Sequence, residues 1–390
     1  MEIGHPGLVG KLVARITQDG PLSFADFMEA ALYNPEFGYY MTPGPRIGRE
    51  GDYYTSLDVH PIFAELIGRQ VAQTAEILFS DNEFTIVEMG AGKGLLARHL
   101  LDSYRRAHPA LLSRVRYVLV ERSPAMIAAQ QQHLRPLLDA GVSISWTQDL
   151  RAFPAGSTNG VFLSNELVDA FPVHRVVMRP LGLREIFVGW DGDRFLEIEA
   201  PPFSPALQNY FERIGVGLEV GQRAEVNLRA LDWMRQAGTI LRRGFVLTID
   251  YGHSAADLYA TTRKAGTLLC YHRHRVSDSP YVRVGQQDMT AHVDFTSLAL
   301  AGRDTGLEVT GFTNQLHFLM GLGIESAFAG LDPESPESVA MRNLLKPDGM
   351  GATYKVLVQH KGMPAPRLDG LQSRPFFLDA LQRPMEAAAR

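Results

Sequence analysis

The feature that most constrains the fold is an alternation, from Phe84 onward, between short apolar runs and helix-length amphipathic segments. The short runs are rich in Val, Ile, Leu and Phe, and strands that alternate with helices form parallel sheets. The pattern predicts strands at residues 84–89, 115–121, 142–146, 160–164 and 245–249. Later strands at 307–312 and 354–359 extend this sheet, with an antiparallel edge as an alternative. The predicted fold class is therefore α/β.

Two long interruptions separate a core from insertions. Residues 1–80 form a predicted helical N-terminal region with a turn-dense aromatic loop, which we interpret as a lid. The core covers 81–172 and 243–360 and includes a second insertion at about 251–295, whereas 173–242 form an inserted subdomain and 361–390 a tail. Because ligands of α/β sheets bind at the carboxyl ends of the strands, we expect the inserted subdomain to face the substrate there.

Composition excludes several classes of protein. The 390 residues are 45% hydrophobic and 21% charged with a net charge of −5, which is typical of a globular chain and not of a disordered or collagen-like one. A single cysteine, Cys270, excludes internal disulfides and thiolate clusters, and we predict no metal site. The charge predicts neither a nucleic-acid nor a membrane partner. Without an apolar span or a secretory signal, we expect a cytoplasmic location.

The sharpest local signal is the sequence EMGAGKG at residues 88–94, between a predicted strand and a predicted helix. Glycines there permit positive φ and let backbone N–H groups approach a ligand at the helix N-terminus. A dinucleotide-binding turn, G-x-G-x-x-G, needs a glycine at position 95, which is Leu95. The alternating Gly90, Gly92 and Gly94, with Glu88 two residues earlier, instead resemble the first motif of class I S-adenosylmethionine-dependent methyltransferases.

Two further acidic residues fit such a cofactor, which has no phosphate but carries cationic groups that suit Glu88. Glu121 ends the next strand, where its carboxylate can accept hydrogen bonds from both ribose hydroxyls. Asp149 follows the third strand and is placed to accept from the adenine amino group. Each residue has a structural alternative: the glycine turn as tight packing, Glu121 as a solvated strand end, and Asp149 as a helix N-cap.

A longer resemblance begins after the fourth strand. The sequence SNELVDAFPVHR at residues 164–175 resembles the signature of the MidA family, the mitochondrial complex I assembly methyltransferases and their bacterial relatives. The motifs NPEFGYY, GDYYTS, ERSP, IDYG, GQQDMTAHVDF and FLMGLGI agree in the same order, so that the resemblance spans roughly residues 20–360. It implies a class I methyltransferase (Rossmann-like) fold with S-adenosyl-L-methionine as cofactor.

The resemblance also implies an activity. Mitochondrial members of the family symmetrically dimethylate an arginine in a subunit of respiratory complex I, which implies a protein arginine methyltransferase that acts on a protein substrate such as a respiratory complex subunit. Two alternatives stay open: the same fold that methylates a small molecule or another side chain, and a non-catalytic assembly factor that binds the cofactor. The oligomeric state also stays open, with a homodimer as one alternative.

Methyl transfer to an arginine makes specific demands on the site. The guanidinium is protonated and is a poor nucleophile until carboxylates orient it and relieve it of a proton. We predict that Asn165 and Glu166 contact the acceptor, with Asp169 beside them, because they follow the fourth strand at the ligand edge. The alternative is that Asn165 and Asp169 cap a helix that follows.

The second insertion adds two candidates in the motif GQQDMTAHVDF. Asp288 is predicted to bind substrate, and His292 is a candidate general base near neutral pH. A buried, hydrogen-bonded histidine that holds the insertion in place is an equal alternative for His292.

The motif GDYYTS contributes four more candidates. Tyr53 and Tyr54 are predicted to contact substrate as part of a lid that excludes water from the sulfonium, with ordinary loop packing as the alternative. Thr55 and Ser56 are predicted, by motif match alone, to donate hydrogen bonds to the cofactor carboxylate.

Overall fold

The computed structural model describes residues 3–42, 52, 56–78, 83–373 and 381. The helices are α1 Pro6–Asp19, α2 Phe24–Tyr33, α3 Ser56–Val59, α4 Ile62–Leu78, α5 Leu95–Ala107, α6 Pro109–Leu112, α7 Pro124–Asp139, α8 Ala206–Ile214, α9 Leu228–Ile240, α10 Ala255–Leu258, α11 Phe295–Arg303, α12 Gln315–Gly321, α13 Pro336–Leu345 and α14 Met350–Thr353. The strands are β1 Leu22–Ser23, β2 Phe84–Met89, β3 Val115–Val120, β4 Ile144–Thr147, β5 Thr158–Asn165, β6 His174–Arg179, β7 Gly182–Trp190, β8 Phe195–Ala200, β9 Arg223–Val226, β10 Leu241–His253, β11 Leu269–His272, β12 Arg275–Ser277, β13 Asp288–Thr290, β14 Val293–Asp294, β15 Glu308–Asn314 and β16 Tyr354–Lys361.

The central sheet has the order β15-β16-β10-β5-β2-β3-β4, and β14 adds to β10 at one end. Strands β4, β3, β2, β5 and β10 run parallel, as the alternation of strands and helices predicts. Strand β16 lies antiparallel between β10 and β15, so the antiparallel alternative at this edge is the one observed. The predicted α/β class is confirmed.

Both faces of this sheet are buried. Successive residues of a strand point to opposite faces, so Ile86 packs with helices α4 and α5 in one apolar cluster while Val87 packs with α9 and α11 in another. Leu100 of α5 and Met234 of α9 are fully buried, one in each cluster. Helix α9 lies within the predicted subdomain 173–242, yet it packs on the central sheet.

A smaller antiparallel sheet combines the N-terminal region with the inserted subdomain. Its order is β1-β7-β6-β9, with β8 paired to β7. The short strand β1 joins it through Leu22, which lies opposite Val188. Helices α1 and α2 cover this sheet with an apolar cluster that includes Leu8 and Phe27. Since Ser23 caps α2 through the N–H of Asp26, the strand leads directly into the helix that reaches the cavity described below.

The second insertion forms a third sheet, β12-β11-β13. The turn between β11 and β12 holds Arg273 and His274 at φ of 50° and 58°, a region that side chains rarely adopt. Asp52 contacts this turn, because its carboxylate accepts the N–H of Arg273 at 2.5 Å and its carbonyl accepts that of His274 at 3.1 Å. In the part of the chain that the structure describes, no helix is both long and apolar enough to span a bilayer.

Candidate active site

A cavity of about 520 Å³ lies at the carboxyl ends of β2, β3 and β5. The glycine turn after β2, the segments after β3 and β5, helix α9 and helix α2 of the N-terminal region all contribute to its wall. This is the edge at which α/β sheets bind ligands, as predicted.

The glycine turn requires its glycines. Gly90, Gly92 and Gly94 have φ of 77°, 51° and 79°. A Cβ atom on Gly90 would lie 2.8 Å from Cδ1 and 3.1 Å from Cβ of Leu167, so a side chain there would displace the Leu167 side chain. Gly90 and Gly92 line the cavity, whereas Gly94 is the N-cap of α5.

The structure differs from the prediction at Glu88. Its carboxylate is buried with 2% of the residue exposed, and it accepts a hydrogen bond from the Tyr117 hydroxyl at 2.7 Å. Burial raises the pKa of Glu88 to about 7. Glu88 is absent from the cavity wall formed by the described residues, so it supports the turn from behind and does not face a cationic ligand.

Glu121 lies on the cavity wall where the sequence predicts it. One carboxylate oxygen accepts the N–H of Ser123 at 2.8 Å, and the other accepts Nε2 of Gln130 at 3.2 Å. Gln130 also donates to the carbonyl of Gly92 at 2.8 Å, so one amide connects the carboxylate to the glycine turn. Burial raises the pKa of Glu121. The carboxylate is therefore fixed in place and able to accept from a vicinal diol.

Asp149 combines the predicted role and its alternative. It lines the cavity, and it caps the short 3-10 turn Leu150–Ala152 by accepting the N–H of Arg151 at 2.7 Å. Its carboxylate also forms an ion pair with the Arg151 guanidinium at 2.7 Å. Hydrogen bonding to Arg151 lowers the pKa of Asp149. The structure thus assigns the carboxylate a capping role at the cavity rim.

Glu166 is the most constrained residue of the site. It lines the cavity and has φ of 51°, a value that is rare outside glycine and costs backbone strain. Its Oε1 accepts the N–H of Ser56 at 3.0 Å and Nδ2 of Asn165 at 3.1 Å. Its Oε2 accepts the hydroxyl of Tyr354 at 2.8 Å. Three separate elements therefore orient this carboxylate.

Asp169 lies beside Glu166 and is 5% exposed. It belongs to a turn that leads into strand β6, so there is no helix here for it to cap, as the capping alternative requires. Its Oδ2 accepts the hydroxyl of Tyr251. Oδ1 of Asp169 and Oδ1 of Asn165 are buried, and neither has a hydrogen-bond donor among the described residues. The predicted acceptor residues thus form one contiguous group, with Asn165 and Glu166 on the cavity wall.

Asp250 is a site residue that the sequence reasoning missed. It is fully buried, and its Oδ2 accepts the N–H groups of Leu167, Val168 and Asp169 at 3.2, 2.9 and 3.4 Å. Burial and the nearby charge of Asp169 raise its pKa. Asp250, and not Asn165 or Asp169, therefore accepts the backbone N–H groups of this turn. The only local signal was an acid inside an apolar strand, in the motif IDYG.

Asp288 is 2% exposed and accepts the Tyr40 hydroxyl at 2.6 Å. Tyr40 lines the cavity, so the described structure connects Asp288 to the cavity through that hydroxyl and not by direct exposure. Burial raises the pKa of Asp288 to about 7.

The structure treats the four GDYYTS candidates differently. Tyr53, Tyr54 and Thr55 lie outside the described residues. Ser56 is fully buried, and its hydroxyl donates to Oε1 of Gln315 at 3.1 Å. Because its N–H donates to Glu166, both donors of Ser56 already bind protein groups, which differs from the predicted contact with a cofactor carboxylate.

His292 does not have the surroundings of a general base. Burial, with the charge of Arg263, lowers its pKa to about 4. Its ring contacts the rings of Tyr251 and His253 at centroid distances of 5.5 and 5.3 Å, and it is not part of the cavity wall that the described chain forms. The structural alternative is met in part, because the ring packs against other rings, but its Nδ1 atom has no hydrogen-bond partner among the described residues.

An ionic contact closes one side of the cavity. Glu29 of α2 pairs with Arg229 of α9 at 3.0 Å and with Arg122, just after β3, at 3.5 Å. Tyr33 of the same helix donates its hydroxyl to the carbonyl of Ala170 at 3.1 Å. The N-terminal region is thus attached to the core on both sides of the cavity.

Comparison with known proteins identifies the family. Residues 66–313 match the family described as "Putative S-adenosyl-L-methionine-dependent methyltransferase". The chain belongs to this family. It is similar to a protein of Burkholderia thailandensis, crystallised with S-adenosyl-homocysteine, with 30% identity, 94% of each chain covered and a TM-score of 0.85. The predicted family, class I fold, methyltransferase activity and cofactor are confirmed.

Curated relatives are similar over most of their length. The protein arginine methyltransferase NDUFAF7 of Homo sapiens is 28% identical over 94% of this chain and 87% of its own. The homologue of Drosophila melanogaster is 28% identical over 94% of this chain and 88% of its own. Both are named as mitochondrial, and the predicted cytoplasmic location of this methyltransferase is therefore wrong. Composition and a single cysteine fit any reducing aqueous compartment, so they could not distinguish one from another.

The residues of this methyltransferase fit S-adenosylmethionine. The backbone of Gly90 and Gly92 forms part of the cavity wall, where no side chain separates it from a ligand, and Glu121 is a fixed carboxylate on the same wall. Val120, Leu150 and Met126 offer an apolar surface near Asp149 that suits a purine ring. Among the described residues, no cluster of His, Cys, Asp and Glu could hold a metal ion.

Proposed function

We propose that this methyltransferase transfers methyl groups from S-adenosylmethionine to an arginine side chain of a protein partner. The names of the curated relatives, which are protein arginine methyltransferases, support the proposal. The observation that carries it is the group of carboxylates behind the cavity, where Glu166 and Asp169 follow β5 at the ligand edge.

Buried carboxyl groups are concentrated at this point. Asp169, Asp250 and Asp288 are each buried, and burial together with the charges of neighbouring carboxylates raises the pKa of all three. A guanidinium brings one positive charge and five N–H donors, so it relieves this repulsion and supplies hydrogen bonds at once. A neutral acceptor can donate hydrogen bonds but brings no positive charge to relieve the repulsion. The cluster therefore favours a cationic acceptor over a neutral small molecule.

Two buried acceptor atoms support the same reading. Oδ1 of Asn165 and Oδ1 of Asp169 lack donors among the residues that the structure describes. An unpaired buried polar atom costs roughly 1–3 kcal/mol. Donors from an arginine side chain that reaches the carboxylates after local adjustment would recover that free energy. These unpaired oxygen atoms therefore favour the binding of an acceptor that carries several N–H donors.

Glu166 and Asp169 have separate roles in the proposed reaction. When bound, S-adenosylmethionine supplies an electrophilic methyl group on a sulfonium sulfur. Glu166, oriented by Ser56, Asn165 and Tyr354, holds the guanidinium so that one nitrogen is aligned for attack. Asp169, whose pKa is raised by burial, accepts the proton that this nitrogen loses on methylation.

We propose that the methyl acceptor is a protein. A protein acceptor follows from the names of the relatives, whereas a subunit of a respiratory complex stays a prediction of the MidA resemblance. A small-molecule acceptor and a non-catalytic, cofactor-binding assembly factor are the alternatives that the following experiment separates.

The full-length protein is incubated with S-adenosylmethionine carrying a tritiated methyl group and with lysate of cells that lack this protein. Protein in the lysate is then hydrolysed, and label in methylated arginine is measured. We expect label with the wild type and a rate roughly 100-fold lower with Glu166→Gln, because loss of charge misaligns the acceptor.

The matched control is Glu185→Gln, which alters a fully buried glutamate of the small sheet. Its rate is expected within about twofold of the wild type. Label in small molecules alone would support the first alternative. Cofactor binding by calorimetry without any label would support the second, and label in a residue other than arginine would overturn the choice of acceptor.

A further inference from the structure

We infer that Tyr251 and Tyr354 form a positioning pair that holds in place the two carboxylates assigned to the methyl acceptor, Glu166 and Asp169. The inference rests on the proposed function, since it concerns the residues that we assign to the acceptor. The Tyr354 hydroxyl donates to Oε2 of Glu166 at 2.8 Å, and the Tyr251 hydroxyl donates to Oδ2 of Asp169.

The geometry of the sheet makes these two tyrosines a unit. Strands β10 and β16 are antiparallel, and Tyr251 lies directly opposite Tyr354 in their register. Their rings meet edge to face, with centroids 5.6 Å apart and planes at 83°. Such cross-strand aromatic pairs stabilise each other. The two hydroxyls therefore reach the segment after β5 from one rigid support.

His292 completes that support. Its ring contacts Tyr251 at a centroid distance of 5.5 Å and an interplanar angle of 74°. Tyr251 is thus flanked by Tyr354 and by His292. This accounts for the position of a histidine that the sequence suggested as a base.

The hydroxyls act as donors only. Burial raises the pKa of both tyrosines well above the ordinary value, and the carboxylates beside them raise it further, so both stay protonated. A hydrogen bond to the charged form of a carboxyl lowers its pKa. The Tyr251 hydroxyl has this effect on Asp169 and opposes the effect of burial.

Besides the Tyr251 hydroxyl, the backbone N–H groups of Ala170 and of Asp169 itself favour the charged form of Asp169, whereas the titratable groups around it do not. Those that face it from its own segment and from β10, β13, α2, β11 and β16 are Glu166, Asp250, Tyr251, Asp288, Tyr33, Tyr271 and Tyr354. The carboxyl groups among them oppose its ionisation when they are themselves charged. Removing the Tyr251 hydroxyl therefore raises the pKa of Asp169, and removing either hydroxyl frees the carboxylate that it contacts to rotate.

The test compares Tyr251→Phe and Tyr354→Phe with Tyr210→Phe in the full-length protein. Tyr210 is the matched control, because its buried hydroxyl also donates to a buried carboxylate, that of Asp294, at 2.6 Å. Asp294 caps α11, whereas Glu166 and Asp169 belong to residues 166–169, which we call the acceptor segment. Initial rates of label transfer to lysate protein are measured from pH 6 to 9, together with binding of S-adenosyl-homocysteine by calorimetry.

Both site variants are expected to lose about tenfold or more in rate at pH 7 while their affinity for S-adenosyl-homocysteine changes by less than about twofold. In Tyr251→Phe the acid limb of the pH profile moves to higher pH, so that part of the rate returns at pH 9. Tyr210→Phe keeps the profile of the wild type. Site variants whose rates and acid limbs match those of Tyr210→Phe would overturn the inference.

A second measurement does not depend on activity. Carboxyl carbons of Asp are labelled with ¹³C, the Asp169 signal is assigned with Asp169→Asn, and its titration is followed by NMR. Tyr251→Phe is expected to move that titration to higher pH, and an unmoved titration contradicts the inference. If the wild type labels no protein at all, the proposed function fails, and this titration still decides whether Tyr251 sets the charge of Asp169.

Discussion

The carboxylate of Asp250 in β10 accepts the backbone N–H of Val168 at 2.9 Å. Val168 follows β5, the strand that lies parallel to β10. The same oxygen accepts the N–H groups on either side, from Leu167 and Asp169. Asn227 at the start of α9 donates to the carbonyl of Val168 at 3.1 Å. The acceptor segment is thus held by its backbone, and its side chains stay available for the cavity.

Asp250→Ala is expected to lower the free energy of unfolding by roughly 1–3 kcal/mol, because three N–H groups lose a buried acceptor. It is also expected to abolish most methyl transfer, since Glu166 and Asp169 lose their backbone support. Urea unfolding and label transfer are the two measurements. Asp294→Ala removes a comparable cap from α11 and serves as the control, with a similar loss of stability and little loss of rate at a temperature where both are folded. Equal rates for the two variants would contradict the assignment.

Glu121→Gln is expected to weaken binding of S-adenosyl-homocysteine about tenfold, because the amide offers one acceptor oxygen where the carboxylate offers two. Calorimetry measures the dissociation constant. Glu83→Gln, the same change at the exposed opposite end of this region of the sheet, is the control and should bind as the wild type does. A Glu121→Gln protein that binds equally well would remove this residue from the cofactor site.

Local signals account for the parts of the fold that the sequence predicts well. Strand β2 agrees with the prediction to the residue, since one apolar run ends at a glycine turn. Strand β10 extends to His253 and not only to residue 249, because Gly252 and His253 pair with Val293 and Asp294 about forty residues later. The same limit applies to β1, whose partner β7 lies more than 160 residues away.

The site residues also differ in how far a local sequence pattern predicts them. The glycine turn and Glu121 carry their own local pattern, and both lie where expected. The roles of Asp250 and Tyr354 depend on contacts with residues 82 and 188 positions away in the chain, which no local pattern contains. The position of Glu88 differs from the prediction for another reason. Its strand is buried on both faces, so the alternation of side chains does not indicate which face an acidic residue occupies.

The contribution of Asp288 to stability should fall as the pH rises. Burial raises its pKa from 3.8 to about 7, so between these values the folded protein holds a proton that the unfolded chain releases. Stability from this group is complete below about pH 4 and is lost as the pH rises through 7. Asp288→Asn, which keeps an acceptor for Tyr40, is expected to flatten the decline and to exceed wild-type stability at pH 8 by roughly 1–3 kcal/mol.

Urea unfolding at pH 5, 6.5 and 8 checks this expectation. The same substitution at the exposed Asp193 controls for the change of residue type. Curves for Asp288→Asn and wild type that stay parallel across this range would show that Asp288 does not hold the extra proton.

The last prediction separates backbone strain from the shape of the cofactor site. Gly90 and Gly141 have nearly equal φ, 77° and 78°, so an alanine at either position pays a similar conformational cost of about 1–2 kcal/mol. A Cβ at Gly141 meets no atom within 4 Å, whereas one at Gly90 lies 2.8 Å from Leu167. Only Gly90→Ala should therefore displace the Leu167 side chain, which lines the cavity, so we expect it to bind S-adenosyl-homocysteine more weakly by calorimetry and to transfer methyl groups more slowly. Gly141→Ala should match the wild type in both, and equal binding by the two variants would mean that the close approach of Gly90 to Leu167 does not shape the site.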